Sequence, residues 1–182
     1  MRLSRSLLPA AAALIAAGGA TPAGAQGGAK RPITQETFDS WRSITGATLS
    51  PDGRWAAYSL NPQVGDGEIV ARATRGDAEY RAPRGYVGRP VVSLAPNDSG
   101  FVAPPPQFSA DGRFLLFTAY APKAEYDRAA REKRRPADQP KSMLGIMELA
   151  AGKVTTVPRV RSFRLARESG RYVAYLLEPD SA

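Results

Sequence analysis

Leu49-Ser50-Pro51-Asp52-Gly53-Arg54-Trp55 returns as Phe108-Ser109-Ala110-Asp111-Gly112-Arg113-Phe114, and a looser echo comes at Glu168-Ser169-Gly170-Arg171-Tyr172. Gly53 and Gly112 stand 59 residues apart, and Gly170 lies 58 beyond Gly112. A motif at near-constant spacing marks stacked copies of one supersecondary unit, so the fold is read from the repeat. In each copy a short strand enters a tight turn, and Gly-Arg-aromatic then opens an apolar strand. Pro51 presets φ for the first central turn position, Asp52 can hydrogen-bond its own backbone, and Gly53 supplies a left-handed residue. The arginine after each glycine (Arg54, Arg113, Arg171) stands where it can pair with the turn carboxylate or cap the strand end. All of these turn residues are read as structural.

Working outward, Thr34 reads as the N-cap of a short helix over residues 35–43, with Phe38 and Trp41 on one face. Residues 26–46 thus form a leader and helix, and a first unit spans 47–86. It holds four short strands, at 47–49, 55–60, 68–73 and 78–82, with Thr74-Arg75-Gly76-Asp77 as a hairpin turn. The proline-rich stretch 87–106 reads as a connector. A second unit fills the rest of 87–160. Its strand at 114–120 is almost wholly apolar, as a strand buried on both faces would be. Residues 123–141 are a charged insertion of helix formers with an Asp127–Arg131 i,i+4 pair, ended by Pro136. It reads as a solvated excursion between the second and third strands, or as a basic helix offered to an anionic ligand. A third unit starts at 161 and reaches 182 half-built.

Four antiparallel strands per unit, in repetition, predict an all-β fold: a partial β-propeller of two to three blades. A closed ring takes roughly 4 to 8 blades. Two and a half would leave apolar sheet faces in water, so the chain reads as the N-terminal part of something longer.

The 182 residues carry 25 basic and 17 acidic groups, a net charge of +8. Arg2 and Arg5, the apolar run 7–17 and the small residues Ala23-Gly24-Ala25 form a secretory signal over 1–25, with cleavage after Ala25. That predicts a periplasmic or secreted product. The apolar run is too short to span a bilayer, and no later stretch approaches the ~20 apolar residues a span needs. The mature charges are scattered, and no aromatics interleave the one basic run, so neither nucleic acid nor a membrane span is expected.

Inventory removes several chemistries. The chain has no histidine and no cysteine, so Ser-His-Asp triads, thiolate nucleophiles and zinc-thiolate sites are excluded. No Gly-x-Ser-x-Gly elbow, dinucleotide fingerprint or phosphate-binding loop occurs. Val64-Gly65-Asp66-Gly67-Glu68 places carboxylates beside glycines but lacks the Asp spacing of a calcium loop, and reads as a polar turn. No catalytic residue, cofactor or metal is expected.

The Ser-Pro-Asp-Gly-Arg turn with its aromatic and apolar strand resembles the Tol-type propeller repeat. That repeat occurs in TolB-like periplasmic proteins and in the N-terminal domains of prolyl-oligopeptidase-like serine peptidases, the S9 group. The wider order is similar to the start of secreted peptidases of that group. It comprises the leader, Phe38-Asp39-Ser40-Trp41-Arg42-Ser43-Ile44, the first turn, Gly65-Asp66-Gly67-Glu68, Arg84-Gly85-Tyr86, the charged insertion, and Leu144-Gly145-Ile146-Met147-Glu148-Leu149. The resemblance implies a propeller that filters peptide substrates ahead of a C-terminal α/β-hydrolase domain. It carries no catalytic residue onto this sequence. The partners it implies are further blades and that hydrolase domain. The alternative it leaves is a non-catalytic TolB-like scaffold that binds proteins.

Overall fold

The computed structural model describes residues 32–39, 41–88 and 103–179. The expected secretory signal, its expected cleavage point after Ala25 and residues 89–102 of the expected connector lie outside the described residues.

Thr34 Oγ1 accepts the backbone N–H of Thr37 at 3.3 Å and so caps helix α1 (Gln35–Asp39). The helix stops four residues short of the expected end at Ser43. In its place strand β1 (Arg42–Leu49) starts early, and Arg42 to Thr45 pair in antiparallel register with Pro62 to Ser59 of β2 (Trp55–Pro62). An isolated short helix is marginal, whereas a ladder satisfies the backbone of β-branched Ile44 and Thr45 against a neighbour. The Phe38 and Trp41 rings still meet, 5.4 Å apart and tilted.

Strands β3 (Gly67–Ala73) and β4 (Glu79–Gly85) complete a first antiparallel sheet in the order β1-β2-β3-β4. A second repeats that order with β5 (Gln107–Phe108), β6 (Phe114–Ala119), β7 (Met143–Glu148) and β8 (Lys153–Pro158). A third holds two strands, β9 (Val160–Leu165) and β10 (Val173–Leu177). The described chain is therefore mostly β, in three antiparallel sheets with no closed barrel.

Sheet two is covered on both faces, and the alternation of its side chains explains how. Leu115, Phe117 and Met147 pack with Ala57, Ile69, Ala71 and Ala82 of sheet one. Leu116, Leu144 and Ile146, one residue out of phase, pack with Val160, Phe163 and Val173 of sheet three. Side chains on a strand alternate faces, so an unbroken apolar run serves two neighbours at once. Alanines on the facing surface of sheet one let the sheets approach closely. Phe117 is paired across strands with Gly145 and covers it; a Cβ at Gly145 would collide with the ring.

Helix α2 (Lys123–Arg131) and a 3-10 turn, Pro136–Asp138, fill the insertion between β6 and β7. The helix ends before the expected stop at Pro136, and Lys133 takes a φ of 51° just beyond it. Asp127 is held by Lys123 at 2.7 Å, not by the expected Arg131. Lys123 is fixed from a second side, because its ammonium lies 5.8 Å from the centre of the Tyr86 ring. The polar turn at Asp66 also has a partner: its carboxylate accepts the first N–H of the helix, that of Lys123, at 2.7 Å. Helix starts leave such donors unpaired, so a carboxylate brought from another segment anchors the insertion. Ala129 of the helix is fully buried.

Candidate functional site

The two full turn motifs adopt the same hydrogen-bonded geometry. Ser50 Oγ donates to Asp52 Oδ1 at 2.6 Å, which also accepts the Arg54 N–H at 3.0 Å. Ser109 Oγ donates to Asp111 Oδ1 at 2.6 Å, and the Arg113 N–H reaches the same oxygen at 3.2 Å. Each serine oxygen accepts the N–H of the next strand's first aromatic, Trp55 at 2.9 Å and Phe114 at 3.0 Å. Gly53 and Gly112 both take φ of 68°, a region other residues enter at a cost. Arg54 approaches its turn carboxylate at 3.8 Å, while Arg113 lies over the Phe114 ring.

The third turn is built differently. The Arg171 N–H is accepted by Ser169 Oγ at 3.2 Å, and Gly170 is not left-handed. Gly170 is needed for another reason: a Cβ there would collide with the carboxylate of Asp111. At Gly112 the approach is looser: a Cβ there would lie 3.4 Å from the carboxylate carbon of Asp52, in ordinary contact. The turn residues Pro51, Asp52, Gly53 and Arg54 are thereby linked to Asp111, Gly112 and Arg113, and these to Gly170 and Arg171. Each turn rests its aspartate against the glycine of the next.

A serine hydroxyl bonded to a carboxylate invites a catalytic reading, and the geometry denies it. Ser50 and Ser109 are buried, at 4% and 2% exposure. Their oxygens are already occupied by a backbone donor, as are the carboxylates. The serine hydroxyl and the backbone N–H hold Asp52 and Asp111 below the ordinary carboxylate range. A carboxylate so stabilised is a poor base. These dyads close turns.

The lowered pKa values fix a direction for pH dependence. An aspartate whose folded pKa lies below its unfolded value of about 3.9 stabilises the fold above that value, and the stabilisation is lost as pH falls through the folded pKa. Urea midpoints measured from neutral pH down through the carboxylate range should fall more steeply for the natural chain than for Asp52→Asn with Asp111→Asn. Parallel acid limbs would show that the turn carboxylates do not titrate in this way.

Arg84, on β4, is the largest fully buried side chain among the described residues, at 1% exposure. Its guanidinium donates to Ser59 Oγ, to the Thr118 carbonyl at 3.3 Å and to the Pro104 carbonyl at 2.6 Å. One cation thus ties together sheet one, sheet two and the segment leading into β5. Burial pushes its pKa below the usual arginine range, with Tyr120 opposing. Directly beside it, Tyr120 N–H donates to the Arg84 carbonyl at 2.7 Å and Tyr86 N–H to the Ala121 carbonyl at 3.0 Å. Arg84 did not stand out from the sequence as a functional residue.

No family model, curated protein or solved structure matches this chain. Among the described residues no group of three or more acidic, His or Cys side chains could hold a metal ion. Among the same residues no helix is long and apolar enough to cross a membrane.

Proposed function

We propose that this chain contributes the opening blades of a β-propeller in an exported S9-type serine peptidase. Its part there is structural and substrate-filtering, with peptide hydrolysis carried by an α/β-hydrolase domain outside these 182 residues. The observation that carries this reading is the repetition itself. Two sheets of identical strand order lie face to face, a third begins in the same way, and consecutive turns interlock aspartate on glycine. Such stacking covers both faces of sheet two, which suits radial repetition. Cleavage after Ala25 and a periplasmic or secreted location belong to the same proposal.

A TolB-like scaffold is the second reading. It is favoured by the engagement of Ser50 and Ser109 in their turns, which leaves these repeats to serve as an architectural platform. The reading frame beyond codon 182 separates the two. A Gly-x-Ser-x-Gly elbow with Asp and His downstream of it is the expected result. Further four-stranded repeats ending in a stop would replace the peptidase with the scaffold. In parallel, the purified 182-residue chain should resist labelling by a serine-directed fluorophosphonate. Labelling would place the nucleophile here and refute the division of labour.

A further inference from the structure

A cavity of about 610 Å³ lies at the turn end of the first strands of sheets two and three. Pro51, Gln107 and Phe108 border one side, and Ser162, Arg164 and Arg167 belong to the other. Residues 162–167 all border it without alternation. That is the pattern of a groove running along the edge of a strand, where side chains of both faces flank the opening. The strand is β9, whose one sheet neighbour among the described residues is β10. Its second edge therefore carries backbone donors and acceptors with no described strand beside them. The volume falls within the ~300–1,000 Å³ typical of ligand clefts.

The electrostatics point one way. Arg164 and Arg167 are exposed, and neither forms an ion pair among the described residues. Among the described residues no acidic side chain borders the cavity. Asp52 and Asp111, adjacent in sequence to the bordering Pro51 and Ala110, are already committed to their own turn donors. A free strand edge flanked by two unpaired guanidinium groups matches an extended chain that brings its own carboxylates.

We propose that this groove binds a carboxylate-bearing extended peptide, which adds to the free edge of β9 and sets its carboxylates against Arg164 and Arg167. Main-chain hydrogen bonds along the edge would supply register. Charge-assisted, two-point contacts from the guanidinium groups would supply selectivity for acidic over neutral sequences. The proposal is independent of the peptidase reading, because a reading frame that favours the scaffold leaves the groove as it is.

Fluorescence anisotropy with the full chain tests it. The probe is a dye-labelled hexapeptide of alternating valine and glutamate with an amidated C-terminus. Beside it stand its glutamine counterpart and that counterpart with a free terminal carboxylate. A carboxylated peptide should bind at least about tenfold tighter than the neutral one. Preference for the glutamate peptide assigns the side chains as the source, and preference for the free terminus assigns the chain end. The double variant Arg164→Gln with Arg167→Gln should lose about tenfold in affinity. Arg128→Gln with Arg131→Gln on α2 removes equal charge and should change it by less than about twofold. Equal losses in the two variants, or no discrimination by a chain that circular dichroism shows folded, would overturn the site.

Discussion

Arg84→Ala should lower the unfolding free energy of the chain by about 2 kcal/mol or more, since leaving the buried Ser59 hydroxyl unpaired costs roughly 1–3 kcal/mol and the two partly buried carbonyls each add less. Three acceptors lose their donor at once: Ser59 Oγ and the carbonyls of Thr118 and Pro104. They belong to three separate segments, so the loss falls on the seam between sheets and leaves each sheet's own ladder intact. Arg84→Lys keeps a cation but not the planar fork that reaches all three, and should fall between the natural chain and the alanine variant. Arg84→Met tests whether the burial of charge is itself the burden. It fills the space yet leaves the acceptors bare, so it should stay well below the natural chain. Urea unfolding monitored by tryptophan fluorescence reads all three. A loss under about 1 kcal/mol for alanine would show that water or relaxation replaces the guanidinium.

The next residue carries the second large effect. Gly85 has φ of 75°, and a Cβ there would run into the backbone oxygen of Tyr120. That oxygen has little freedom to withdraw, because Tyr120 N–H is bonded to the Arg84 carbonyl and Ala121 accepts from Tyr86. Gly85→Ala should therefore cost about 3 kcal/mol or more, combining left-handed strain of about 1–2 kcal/mol with the loss of at least one of those bonds. Gly76 supplies the internal control. It has a nearly equal φ of 79° but open space where a Cβ would go. Gly76→Ala should thus show the strain alone. Matching midpoints for the two variants would mean that the close approach at Tyr120 adds nothing.

Much of the β architecture was legible because it is written in local chemistry. The hairpin at Gly76, the turns at Gly53 and Gly112 and the two-faced apolar strand at Phe114 each arise from a few adjacent residues. The features that escaped depend on contacts between distant segments. Trp41 and Arg42 look like helix continuation until β2 is present to pair with Arg42 and its successors. Asp127 has two candidate basic partners at the same spacing, and the Tyr86 ring, far off in sequence, favours Lys123. Arg84 was readable in part: Tyr80, Ala82 and Arg84 occupy one face of β4 by simple alternation. A charge on that face argues against burial until its three acceptors are known. The groove beside β9 had no sequence signal, because Pro51, Gln107 and Arg164 converge only through the stacking.

The interlocked turns also give the molecule a direction. The aspartate precedes the glycine it leans on by one whole unit, so a nascent polypeptide leaving the ribosome exposes each resting surface before the piece that settles against it is made. Growth by duplication would inherit the same rule, since a newly copied module arrives with its own glycine facing backward and its own carboxylate facing forward.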